Sequence, residues 1–84
     1  MTINDDLRKK IIYRATHRGT KEMDLLLGSF VKFYIDDFNI SELKDLLALI
    51  LIEDEILYKW HFHKIKNNSI KDNKVTILFQ EFKF

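Results

Sequence analysis

The sequence predicts an all-α protein, a small single-domain bundle of four to five short helices spanning residues 1–84. Apolar residues recur at intervals of three and four along most of the chain, which is the spacing of amphipathic helices. Proline is absent and glycine occurs only twice, so few positions interrupt a helix. Hydrophobic residues make up 46% of the chain and charged residues 32%, which is ordinary for a soluble domain with one modest core.

The first helix is expected over residues 5–16. Asn4 is a suitable cap, and two acidic residues follow it in the first turn, where the helix dipole favours anions. Leu7 and Ile11 lie on one helical face. The helix should end near Gly19.

The second helix is expected to begin after a cap at Thr20 and to occupy the centre of the bundle. It is apolar on most sides, and Gly28 inside it allows a neighbouring helix to pack closely. Its main apolar stripe consists of Met23, Leu26, Leu27, Phe30, Val31 and Tyr34.

The third helix begins at Asn39 or Ser41. Asn39 followed three residues later by Glu42 is typical of a capping box, in which each residue bonds the other's backbone. Asp54 is expected to cap a short fourth helix. The inner stripe of the third helix is Leu43, Leu46, Leu47 and Ile50.

The last segment fits two patterns. After a turn at residues 67–69, Val75, Ile77 and Phe79 alternate as in a strand, but the same segment also shows helical spacing. A lone strand would have no partner in a helical chain, so a helix is expected over residues 70–82.

No catalytic or metal-binding residues are expected. The chain has no cysteine, which excludes disulfides, thiol catalysis and cysteine-based zinc sites. His61 and His63 are two residues apart and would point in nearly opposite directions on a helix, so they cannot share a metal. No nucleophile elbow or phosphate-binding glycine loop is present, so the chain is not expected to be an enzyme.

The charge is nearly balanced. The formal net charge is +1, although residues 59–84 carry six lysines against Asp72 and Glu81. This basic segment could meet RNA through Trp60 and its neighbours, but no recognised RNA-binding module is present, so no nucleic-acid partner is expected.

Nothing at the N-terminus is typical of a signal or transit peptide, which predicts a cytoplasmic protein. The longest apolar run, residues 46–52, is too short to span a bilayer, so no membrane insertion is expected.

The most distinctive stretch is residues 17–24, where Gly19 lies between Arg18 and Glu22. If one helix contains the stretch, the two charged side chains are neighbours and form a surface ion pair. If Gly19 ends the first helix as a C-cap, they flank a corner. In either case Arg18 and Glu22 should be exposed, because buried charges need excellent pairing.

The same stretch carries a family resemblance. The segment from Tyr13 to Leu27, YRATHRGTKEMDLLL, resembles the SdhE-like assembly factors of succinate dehydrogenase, whose hallmark is Arg-Gly-x-x-Glu. The resemblance covers residues 5–62 and includes an acidic, aromatic and Trp pattern at Asp54, Tyr58 and Trp60. Glu55 stands where the family commonly has proline, and the last twenty residues match loosely.

The resemblance implies an assembly factor that binds the flavoprotein subunit of succinate dehydrogenase, and in some bacteria that of fumarate reductase. Such factors promote covalent attachment of FAD to a histidine of the partner, so no FAD need be bound by this chain itself. An antitoxin-like regulatory module and an RNA-binding bundle are the alternatives, and a monomer is expected. The expected partner-binding residues are His17, Arg18, Gly19, Glu22, Asp24 and Trp60.

Two of these residues have structural alternatives. Trp60 is equally well explained as an interface anchor or as a core residue between helices. Gly19 is explained either by close approach of a partner's backbone or by a helix C-cap with positive φ.

Overall fold

The described part of the chain forms five helices. A computed structural model describes the backbone of residues 3–83 and the side chains of residues 5–83. The described part of the chain contains no strand, which confirms the predicted all-α class. The helices are α1 (Ile3–Thr16), α2 (Lys21–Tyr34), α3 (Ile40–Ile50), α4 (Asp54–His63) and α5 (Lys74–Glu81).

Capping side chains fix where α2 and α3 begin. Thr20 accepts a hydrogen bond from the Met23 N–H at 3.3 Å, as predicted. Asn39 accepts from the Glu42 N–H at 2.8 Å, and Glu42 Oε1 accepts from the Asn39 N–H at 2.9 Å, which confirms the capping box. The cap expected at Asn4 is wrong, because α1 begins at Ile3 and Asn4 lies inside the helix.

The last helix is shorter than expected. It begins at Lys74 rather than at residue 70, because Asn73 and Thr76 form a second capping box with bonds of 2.9 Å in both directions. Ile70 is buried in the preceding loop, so its apolar character reflects packing and not helix. The helical alternative for this segment is nevertheless confirmed.

In the core, α2 packs against α1, α3 packs against α1 and α5, and α4 packs against α5. Gly28 is buried, and a Cβ placed there would lie 3.5 Å from Thr16 Cγ2, so α1 and α2 approach closely at this point, as expected. The largest fully buried apolar side chains include Ile11, Met23, Leu26, Leu27, Phe30, Leu43, Leu46, Leu57 and Phe79. Within the described chain, no helix has the length and apolarity needed to cross a bilayer.

Candidate partner-binding site

Arg18 forms an ion pair with Asp54 at the junction of α1 and α4. Arg18 Nε donates to Asp54 Oδ1 at 2.8 Å, and Nη2 donates to the same oxygen at 2.5 Å. The Arg18 side chain is only 10% exposed and that of Asp54 23%. Charge-assisted bonds of this kind are strong when water is largely excluded.

The remaining Arg18 donors bind backbone carbonyls. Nη1 donates to the Ile50 carbonyl and, at 3.3 Å, to that of Arg14, while Nη2 donates to the Ile52 carbonyl at 3.0 Å. Carbonyls in the last turn of a helix have no N–H partner within the helix, and the Arg18 guanidinium provides the missing donors here. The prediction that Arg18 is exposed is therefore wrong, because its guanidinium joins the ends of α1, α3 and α4.

Gly19 is exposed, and its backbone is not that of a C-cap glycine. Its N–H donates to Asp54 Oδ2 at 3.1 Å. No glycine in the described chain has positive φ, and α1 already ends at Thr16, so the C-cap explanation is wrong. A Cβ at Gly19 would lie 3.5 Å from Asp54 Oδ2, which is an ordinary contact.

Asp54 therefore has a different role from the predicted one. It is the first residue of α4, whose cap position is Glu53, and no side chain caps that helix. Both Asp54 oxygens are used instead to hold Arg18 and Gly19. The expected helix cap is wrong because the carboxylate has better partners in a segment far away along the chain.

The two acidic residues of the motif lie in the first turn of α2, where the helix dipole stabilises negative charge. Glu22 is exposed, as predicted, and has no ion pair among the described residues. The predicted pair between Arg18 and Glu22 is wrong, because Arg18 turns to Asp54. Asp24 is half-buried, and its carboxylate accepts a hydrogen bond from the Arg18 N–H.

His17 is exposed at the end of α1. Its ring stacks on that of Tyr13, with centroids 4.1 Å apart and an interplanar angle of 19°. Its Nδ1 lies 2.8 Å from the Tyr13 carbonyl oxygen, which can only accept, so Nδ1 carries the proton. These contacts hold the imidazole beside the motif.

Trp60 does not share this surface. It is 7% exposed, and its ring lies 6.0 Å from that of Phe79 in a nearly parallel arrangement. Of the two explanations for Trp60, the structure supports a core residue between helices. The expectation that Trp60 anchors a partner at the surface is wrong. Its indole fills space between α4 and α5.

A cleft opens beside the motif, between the first turn of α2 and the outer face of α4, with a volume of about 510 Å³. The α4 wall was not expected from the sequence, although Glu55, Tyr58 and Lys59 have the i, i+3, i+4 spacing of one helical face. The cleft is lined by Thr20, Lys21, Glu22, Met23, Asp54, Glu55, Tyr58 and Lys59. Among the residues that the structure describes, no group of three or more potential metal ligands occurs.

Comparison with known proteins identifies the family. Residues 9–83 match the family described as "Flavinator of succinate dehydrogenase". The chain belongs to this family. The match confirms the resemblance seen at residues 13–27 and extends over the last helix, which had matched only loosely.

Individual relatives agree. The chain is 36% identical over 58 residues to the FAD assembly factor SdhE of Acetobacter pasteurianus, covering 69% of this chain and 53% of that protein. It is 38% identical over 60 residues to the mitochondrial succinate dehydrogenase assembly factor 2 of Dictyostelium discoideum, covering 71% and 43%. The Saccharomyces cerevisiae factor of the same name is 32% identical over 82 residues, covering 93% and 51%.

The chain spans about half the length of these curated relatives. Their names describe assembly factors and not catalysts, which agrees with the accessory, non-enzymatic role expected from the sequence. No solved structure matches the chain.

Proposed function

We propose that this chain binds the flavoprotein subunit of succinate dehydrogenase and promotes the covalent attachment of FAD to it. Membership of the flavinator family supports the proposal. One structural observation carries it: Asp54, paired with the partly buried Arg18, also binds the Gly19 N–H, which holds Gly19 exposed close to the cleft that Glu22 lines. We call Gly19 and Glu22 the motif edge. Because Gly19 is held in place before a partner binds, less conformational entropy is lost on binding.

The chain acts by positioning. The reacting histidine and the flavin both belong to the partner, so the task is to hold the flavoprotein where the two meet. Exposed Gly19 lets a partner backbone come close, and the Glu22 carboxylate is free to accept hydrogen bonds. His17 and Asp24 flank this edge, one stacked on Tyr13 and the other bonded to the Arg18 backbone.

The direct test is co-purification of the chain with the flavoprotein subunit. In-gel flavin fluorescence in a deletion strain then measures covalent FAD. The flavoprotein of fumarate reductase is assayed in parallel, because the resemblance implies it as a second client. A cytoplasmic location and a monomeric state remain predictions, as does the absence of FAD on the chain itself.

Matched variants locate the site. Glu22→Gln keeps the shape of the side chain and removes its charge, so we expect weaker binding and less covalent flavin. Glu81→Gln makes the same change at an exposed position on α5 and should behave as the unaltered chain. Normal flavin attachment with Glu22→Gln, or equal losses in both variants, would contradict the proposal that Glu22 contacts the flavoprotein.

The alternative functions gain no support. The relatives' names refer to assembly factors, not to RNA-binding proteins or antitoxins. Trp60, which an RNA-binding surface would need for stacking, is buried in the core.

A further inference from the structure

The outer face of α4 exposes an aromatic cluster next to the motif. Tyr58 is 37% exposed and Phe62 46%, and their ring centroids are 4.8 Å apart. The His63 ring lies 5.6 Å from that of Tyr58. Rigid aromatic side chains grouped at a surface are typical of protein–protein contact sites, because they bury much area with little loss of rotamer freedom.

Tyr58 links this cluster to the cleft. It lines the cleft on the α4 side, opposite the first turn of α2. Met23, which is 1% exposed, contributes an apolar surface beneath it. The Tyr58 hydroxyl makes no hydrogen bond to another described residue, so the ring and not the hydroxyl defines this wall.

The charges at the rim are largely satisfied by one another. Lys59 Nζ lies 3.1 Å from Glu55 Oε1, and Asp54 is committed to Arg18. Lys21 and Glu22 are the charged lining residues without an ion pair in the described chain, and they have opposite signs. The cleft therefore has almost no net charge, which disfavours an ionic occupant and favours an apolar one.

We propose that this cleft is the second half of the docking site and takes an apolar side chain, aromatic or branched aliphatic, from the flavoprotein subunit. The inference rests on the proposed function. The cleft shares Glu22 with the motif, so a partner seated on Gly19 also covers the cleft. Its volume of about 510 Å³ lies within the range of about 300–1,000 Å³ typical of binding sites.

The two halves of the docking site are expected to contribute to binding in different ways. The motif half contributes a free charge and a close backbone approach, which set orientation and encounter rate. The α4 half contributes desolvated apolar area around Tyr58, which slows dissociation. The two contributions should respond differently to salt, since screening weakens exposed charges but leaves apolar contacts intact.

The experiment measures affinity of the purified flavoprotein subunit for the full chain and its variants at low and high salt. Tyr58→Ala should weaken binding at least about tenfold at both salt concentrations. Tyr58→Phe should bind normally, because it keeps the ring. Phe33→Ala removes an aromatic ring that is 67% exposed on α2 outside the cleft, and it should also bind normally. Thermal melts show that each variant is folded.

Four outcomes with the variants would overturn the inference. Normal binding by Tyr58→Ala alongside weak binding by Glu22→Gln would show that the flavoprotein does not contact the cleft, but it would leave the proposed function intact. Equal losses with Tyr58→Ala and Phe33→Ala would mean that no particular apolar site exists. If the chain self-associates and Tyr58→Ala makes it monomeric without affecting the flavoprotein, a second copy occupies the cleft. Normal binding by all variants, Glu22→Gln included, would contradict both the cleft and the motif residues as contact sites. Failure of the unaltered chain to bind the flavoprotein would overturn the proposed function as well.

Discussion

Asp54 accepts two hydrogen bonds from the Arg18 guanidinium through Oδ1 and one from the Gly19 N–H through Oδ2. One carboxylate thus fixes both the arginine and the glycine of the Arg-Gly-x-x-Glu motif. The two motif residues have different tasks in consequence. Arg18 joins the helix ends from within, and Gly19 is presented to the outside.

Asp54→Ala should destabilise the fold. It leaves the Arg18 charge, whose side chain is 10% exposed, without its carboxylate, and breaking a buried pair costs about 3–5 kcal/mol. Because Asp54 is 23% exposed, we expect a loss of about 2–4 kcal/mol in urea denaturation. Glu55→Gln is the control, since its pair with Lys59 is exposed and should contribute less than about 1 kcal/mol. Similar losses in both variants would contradict a specific role for Asp54.

Gly19→Ala should leave stability unchanged or raise it by about 0.4–1 kcal/mol. The backbone there has no positive φ, and the new Cβ would meet Asp54 Oδ2 at an ordinary distance of 3.5 Å. Gly19→Arg should also fold, yet abolish flavoprotein binding by filling the space in front of the motif. Thermal melts and pull-downs separate the two effects. A folded Gly19→Arg chain that still binds would show that no backbone approaches at this position.

Local signals predicted much of the fold. The starts of α2 and α3 depend on bonds between residues three apart, such as those of Asn39 with Glu42, and can be recognised in the sequence. The start of α5 was placed too early because the buried loop residue Ile70 has the same apolar pattern as a helix residue. The cap formed by Asn73 and Thr76 uses a threonine where glutamate or glutamine is more usual, so it was harder to recognise.

The site was less predictable, for a physical reason. Arg18 has Glu22 four residues away and Asp54 thirty-six residues away, and local spacing favoured the nearer carboxylate. The choice depends on where the ends of α1, α3 and α4 meet in space, which no local pattern encodes. The α4 wall of the cleft was missed for the same reason, although the exposed spacing of Glu55, Tyr58 and Lys59 was visible.

Trp60→Phe should lower stability without changing affinity for the flavoprotein. The indole is 7% exposed and packs on Phe79, so the smaller ring leaves a cavity worth about 1–3 kcal/mol. Because Trp60→Phe removes the one tryptophan in the chain, urea denaturation of both proteins is followed by circular dichroism and not by tryptophan fluorescence. If Trp60→Phe binds the flavoprotein more weakly while its melting temperature is unchanged, Trp60 contributes to the interface.

Lys64→Gly should stabilise the protein. Lys64 ends α4 with φ 57° and ψ 29°, a left-handed conformation that is unfavourable for residues with a side chain by roughly 1–2 kcal/mol. Glycine adopts it freely, so we expect a gain of about 1 kcal/mol in urea denaturation. Lys66→Gly provides the control: it also removes a lysine charge, but no strained conformation is relieved there. A gain in both variants would point to charge and not to backbone.

His61 should make the fold sensitive to mild acid. It is buried where α4 meets α5, with its ring 4.8 Å from that of Phe79, and its Nδ1 has no hydrogen-bond partner among the described residues. Burial lowers the pKa of His61 below its ordinary value of 6.5, and the nearby Lys64 charge lowers it further, while hydrogen bonding of the ring to the Phe79 and Phe82 carbonyls acts in the opposite direction. The folded protein therefore resists protonation that the unfolded chain accepts.

The direction of the effect follows from this difference. Well above pH 6.5 the imidazole is neutral in both states, and stability does not depend on it. As the pH falls below that value, the unfolded chain binds a proton that the folded one does not, so the free energy of unfolding decreases. The decrease cannot exceed about 1.4 kcal/mol per pH unit for one proton, and it stops below the folded-state pKa.

Urea denaturation between pH 7.5 and about pH 5 tests this prediction. The pKa of Glu42 is lowered by the Asn39 N–H and by Lys74, so its contribution is lost only as the pH falls below 4.5, outside this window. His61→Leu should abolish the slope, because it keeps an apolar group in the core and removes the titrating ring. The exposed His63 is the matched control, and His63→Gln should keep the slope. The prediction fails if the free energy of unfolding stays constant over this pH range. It also fails if His61→Leu and His63→Gln change the pH dependence equally.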